Sequence, residues 1–118
     1  MLRDLDLKKY THVYIACGTT DLRLGIKGLS DLVKYKFGLN YYDQSALFLF
    51  CGSKCNSLKA LCFEGDGHVL LTKRLCKGKY QWPKNEEEAR LLAPTEVKMI
   101  LAGFSIESTI PMKNQTVG

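Results

Sequence analysis

The sequence predicts an α+β domain with a mainly antiparallel sheet, on three observations. Runs rich in β-branched and aromatic residues occupy 12–16, 46–51, 58–64 and 68–75. A stripe of helical period fills 22–37, between the first two runs. Turn-forming glycines separate the later runs, so strands follow one another without a second long helix between them.

The first run, His12 to Ala16, ends at Gly18. Thr20 and Asp21 are good N-cap residues, so a helix is expected to start near Leu22. Leu22, Ile26, Leu29, Val33 and Phe37 then form one apolar face, and Gly38 is a natural stop. Gly25 and Gly28 each weaken such a helix by about 1 kcal/mol relative to alanine, a cost that close packing against a sheet would explain. Ala46 to Cys51 is apolar on both alternations and reads as a central strand.

The runs at 58–64 and 68–75 flank Gly65-Asp66-Gly67, a strong hairpin signal. A two-residue turn at Asp66-Gly67 would place Lys59 opposite Arg74; a turn centred on Gly65-Asp66 would shift that register. Like charges directly opposed repel, and a bridging phosphate would relieve the cost. Tyr80 to Trp82 is expected as a further short strand, closed by Pro83. Beyond it, Val97, Ile100 and Leu101 give the apolar stripe of a short C-terminal helix ending at Gly103. Residues 1–104 are therefore one domain, and 105–118 a polar, flexible tail.

Charge and cysteine usage narrow the function. The chain has 118 residues, 17 basic and 12 acidic, with a formal net charge of +5. That excess permits a nucleic-acid or acidic partner without requiring one. Its distribution says more: no acid lies between Asp66 and Glu86, a stretch holding Lys73, Arg74, Lys77, Lys79 and Lys84. Tyr80 and Trp82 lie among these bases, an interleaving that nucleic-acid surfaces use for phosphate contact and stacking. Trp82 also suits the core. Five cysteines in no disulfide spacing, and no apolar run of signal-peptide or membrane length, point to the reducing cytoplasm.

Several chemistries have little support. Cys51, Cys55, Cys62 and Cys76 lack the paired spacing of a zinc site. Cys17-Gly18-Thr19-Thr20 lacks the glycine pattern and lysine of a nucleotide loop. Asp21, Glu64 and Asp66 can be assembled on paper into a carboxylate metal site, yet Asp21 suits a cap and Asp66 a turn. His12 and His68 stand in no recognisable nucleophile context. The reading is of a non-enzyme without cofactor, metal or small-molecule substrate.

Two blocks carry a resemblance. One is Val13-Tyr14-Ile15-Ala16-Cys17-Gly18-Thr19-Thr20-Asp21-Leu22-Arg23 with Gly25-Ile26 and Gly28-Leu29. The other runs from Leu47-Phe48-Leu49-Phe50-Cys51-Gly52 through Leu58-Lys59-Ala60-Leu61 and Glu64-Gly65-Asp66-Gly67. It continues into Lys73-Arg74-Leu75 and Gly78-Lys79-Tyr80-Gln81-Trp82-Pro83. In order and spacing they resemble the TnpB accessory proteins of the insertion-sequence-66 family. The resemblance implies a role in transposition beside a separate, larger transposase. One departure falls after Gly52, where the family's arginine-rich loop is reduced to Ser53-Lys54-Cys55-Asn56-Ser57.

The implied partners are the element's DNA, its transposase and its other accessory protein. The candidate anion-binding residues are Arg23, Lys54, Lys59, Lys73, Arg74, Lys77 and Lys79, with Tyr80 and Trp82 as aromatic contacts. The alternative is an adapter that binds the transposase or another accessory protein without touching DNA, with Tyr41, Tyr42 and the C-terminal stripe as anchors.

Overall fold

Ala46–Cys51, strand β2, is the centre of the structure, and all six of its residues are buried. A strand whose two alternating faces are both apolar needs cover on both sides, and the rest of the chain supplies it. The computed structural model describes residues 9–87. In it β1 (His12–Ile15), β2, β3 (Ser57–Phe63) and β4 (His68–Arg74) form one sheet in the order β1-β2-β3-β4. Between β1 and β2 comes the helix α1, Ile26–Asp31, which continues as a π-helical turn over Leu32–Lys36.

The sheet is mixed. β2–β3 and β3–β4 are antiparallel, but β1 runs parallel to β2, with His12 opposite Ala46 and Ile15 opposite Leu49. The intervening helix makes this possible, since parallel neighbours need a crossover long enough to return the chain to the same end. The expected C-terminal helix at 97–101, the domain limit at 104 and the tail at 105–118 lie outside the described residues.

Alternation assigns the two faces. Ala46, Phe48, Phe50 and Leu61 point toward the helix and pack with Leu29 and Val33. Leu47, Leu49, Cys51, Leu58, Ala60 and Cys62 point the other way and pack with Tyr80 and Trp82. The segment 80–83 is no strand; it is an irregular strap across that second face. Its fastenings are Tyr80 N–H donating to Cys55 O (2.6 Å), Trp82 Nε1–H to Ala16 O (2.7 Å) and Gly18 N–H to Pro83 O (2.9 Å).

The helix is shorter than its stripe suggested. It begins at Ile26 with Gly25 as N-cap and no side-chain cap, so neither Thr20 nor Asp21 caps it. Asp21 serves the preceding turn instead, its carbonyl accepting from Leu24 N–H (3.2 Å). Of the expected apolar face only Leu29 and Val33 are fully buried, whereas Ile26 and Phe37 are each 40% exposed. The π turn explains Phe37: Phe37 N–H donates to Leu32 O, and the wider turn rotates later residues out of phase with the stripe. Gly38, at φ +64°, then reverses the chain in the left-handed region that glycine tolerates. Close packing accounts for Gly28, where a Cβ would fall 2.9 Å from Leu24 Cδ2, but the contact is with Leu24 and not with the sheet.

The hairpin closes on Gly65-Asp66. Glu64 N–H donates to Gly67 O (2.9 Å), Gly65 has φ +96°, and Phe63 stands opposite His68. Lys59 is therefore opposite Thr72, and Arg74 is opposite Ser57. The opposed Lys59–Arg74 pair does not exist, and the anion bridge argued from it falls with it.

Candidate nucleic-acid interface

Because β1 and β2 are parallel, the loops that follow them leave from the same end of the sheet, an arrangement that commonly frames a binding crevice. Between these loops lies an open groove of about 640 Å³. One wall is Thr19, Thr20, Asp21, Leu22 and Arg23; the other is Gly52, Ser53, Lys54, Asn56 and Ser57, with Arg74 at the end of β4. The walls are tied to the sheet by Thr20 N–H donating to Cys51 O (2.8 Å) and Gly52 N–H to Ser57 O (3.0 Å). Gly52 lets them approach: a Cβ there would meet Leu22 Cδ1 at 3.1 Å.

Asp21 holds Arg23. Its Oδ1 accepts from Arg23 N–H and Nε–H, both at 3.0 Å, and its Oδ2 from Nη2–H at 2.9 Å. These hydrogen bonds, from the side chain and then the backbone of Arg23, lower the Asp21 carboxyl below its usual range, and the Arg23 guanidinium is raised in turn. Both groups are solvent-exposed, so the pair orients Arg23 more than it stabilises the fold. A guanidinium has five N–H donors, and those not engaged by Asp21 remain for an anion.

The groove thus assembles three bases against one acid, with the hydroxyls of Thr19, Thr20, Ser53 and Ser57 and the amide of Asn56 on its walls. Cations among neutral donors, one of them oriented by a carboxylate, suit a phosphodiester backbone. Of the residues expected at a binding surface, Arg23, Lys54 and Arg74 come together here.

The others do not. Lys59 Nζ donates to the carbonyl of Leu24 (3.2 Å), fastening the segment before α1 onto the sheet, a structural role. Lys73 pairs with Leu58 on the face opposite to Arg74. Lys77 and Lys79 are exposed in the turn after β4 and do not line the groove. Tyr80 and Trp82 are 3% and 8% exposed; as rings that the strap presses into the core, they are unavailable for stacking on bases.

The hydroxyl and amide lining was missed because it follows from the parallel β1–β2 pairing, which an antiparallel reading hides. The carboxylates Asp21, Glu64 and Asp66 do not converge, for the groove lies by Ser57 at the start of β3 and the hairpin tip beyond Phe63 at its end. A strand of that length separates them by roughly 20 Å. Among the described residues no group of three or more His, Cys, Asp or Glu is placed to hold a metal ion, and all five cysteines are free thiols. Nor is any described helix long and apolar enough to cross a membrane.

Fold and groove together define a small α+β module with a cationic cleft at its strand ends. The chain belongs to the IS66 Orf2-like protein family, whose pattern matches residues 11–110. That membership implies an accessory role in transposition. Among its relatives, the uncharacterized protein y4hO of Sinorhizobium fredii is 37% identical over 92 residues, 78% of this chain and 79% of the relative. The uncharacterized protein y4jC of the same organism is 30% identical over 92 residues, 78% of each chain. No solved structure matches the chain.

Proposed function

We propose that the protein is a non-catalytic accessory factor of transposition that binds duplex element DNA by its phosphate backbone, through the groove between Thr19–Arg23 and Gly52–Ser57. The observation that carries this reading is the meeting of Arg23, Lys54 and Arg74 in one groove, from three separate parts of the chain, among neutral hydrogen-bond donors. A module of this kind positions DNA for the transposase without a reaction of its own. Asp21 is engaged by Arg23 and Asp43 by Ser45, whose N–H and hydroxyl both donate to Asp43 Oδ1.

The test is binding to labelled duplex DNA of the element's ends and of random sequence, across a salt series. Log-linear weakening with salt, with a slope that falls in the groove variants, supports the reading. Absence of binding to either duplex at low ionic strength overturns it and favours an adapter that meets acidic protein surface.

A further inference from the structure

On the helix side of the sheet, α1 lies against β4, toward the edge far from β1. On the β1 side an open, largely apolar groove of about 640 Å³ remains. Tyr14 and Ala16 after it, with Phe48 of β2, form its floor, and Val33 and Phe37 its helical wall. Phe37 is 40% exposed. Apolar rings and methyls left facing water carry a cost that grows with their area, so such a groove calls for an apolar occupant.

The chain itself leads to the groove. Gly18 N–H donates to Pro83 O just past the end of β1, where the strap leaves the second face of the sheet. Three residues later Glu86 stands in the lining of the groove, so the chain has passed from one face to the other around that end. Glu86-Glu87-Glu88 is too polar to fill it. Leucines follow at 91 and 92, and the stripe Val97, Ile100 and Leu101 after them. The family's pattern runs on to residue 110, so these residues belong to the part of the chain that the family shares.

We propose that residues 89–101 of this same chain fill the groove, with the Val97, Ile100 and Leu101 side chains seated against Tyr14, Phe37 and Phe48. A second copy of the chain or an apolar segment of a partner would bury the same surface. The chain's own segment has the advantage of its tether: joined so close to the groove, it is present at an effective concentration on the order of millimolar. The stripe then belongs to the core of the domain and is no anchor for a partner.

The first test is nuclear Overhauser spectroscopy on the full chain with labelled methyl groups. The expected result is cross-peaks from the Val97, Ile100 and Leu101 methyls to the rings of Tyr14, Phe37 and Phe48, with none between copies in a mixture of labelled and unlabelled chains. Absence of these cross-peaks, or cross-peaks between copies only, overturns the proposal. The second test is Ile100→Asp, read by the alkylation rate of each cysteine. Cys17 lines the groove, whereas Cys51 is buried with the cluster on the other face. Alkylation of Cys17 should rise about tenfold or more while Cys51 keeps the parent's rate, the mark of a local opening. An unchanged Cys17 rate also overturns the proposal. A variant that unfolds outright exposes Cys51 as well, and the parent's cross-peaks then decide. Neither readout involves DNA, so this inference and the reading of the cationic groove can fail separately.

Discussion

Trp82 Nε1–H donates to the carbonyl of Ala16 at 2.7 Å, joining two residues 66 apart in the chain. The bond fixes the strap to the end of β1 while the indole fills the sheet face beneath. Trp82→Phe, which keeps a ring but removes the donor, is expected to cost about 1–3 kcal/mol. Trp82→Ala is expected to cost about 3–5 kcal/mol, since it also opens a cavity. Denaturant unfolding of both variants checks this, and equal stability of Trp82→Phe and the parent would remove the bond from the account.

Lys59→Met tests the reassigned lysine. It keeps the aliphatic stem beside Leu61 but loses the donor to Leu24 O, so stability should fall by about 1 kcal/mol. Duplex binding per folded molecule should hold, because Lys59 is outside the groove. A Lys59→Met protein as stable as the parent but defective in binding would restore the residue to the interface.

Arg23→Ala, Lys54→Ala and Arg74→Ala should leave the melting temperature nearly unchanged, as exposed side chains usually do. Each should lower the slope of log affinity against log salt by about one, the signature of one lost phosphate contact. Asp21→Asn loosens the guanidinium but also removes the groove's one carboxylate, so duplex binding in the same salt series should hold or tighten where Arg23→Ala weakens it.

The sequence made the strands legible because each carries its own local signal: β2 by unbroken apolarity, β3 and β4 by the glycine turn between them. Register was less legible. Gly65-Asp66 and Asp66-Gly67 are both acceptable turns, and the choice moves Lys59 from opposite Arg74 to opposite Thr72. The site was half legible: its three cations stood out as charges, but their meeting depends on the parallel β1–β2 pairing, which local composition does not encode. Lys73 and Arg74 show the limit best, adjacent in sequence yet on opposite faces of the sheet.

Alkaline pH should destabilise the fold early. Burial, with the neighbouring Cys51 adding to it, pushes the Tyr80 phenol from 10.0 to about 12. Burial, with Cys55 adding to it, pushes the Cys51 thiol from 9.0 to about 12. Both pKa values are raised on folding, so the unfolded chain loses these protons first. The associated stability is fully present below about pH 9 and declines as pH rises toward 12. Tyr80→Phe should flatten the upper part of that decline, measured by denaturant unfolding along a pH series. At neutral pH it should be neutral or stabilise by about 1 kcal/mol, because the buried Tyr80 hydroxyl has no hydrogen-bond partner among the described residues. A marked neutral-pH loss in Tyr80→Phe would mean that the hydroxyl is bonded.

The strap also orders events during biosynthesis. A ribosome that has released β1 through β4 has delivered every strand of the described sheet, yet Leu47, Leu49 and Leu58 still lack the rings that cover them, because Tyr80 and Trp82 come later. Until residue 83 has cleared the exit tunnel, the nascent chain carries a sheet with its helix in place on one side and the other side adhesive. Chaperone capture or pairing with another nascent copy is most favoured in that interval. A translational pause just upstream of Tyr80 would lengthen the exposure, whereas one placed after the strap has emerged would give the domain time to close.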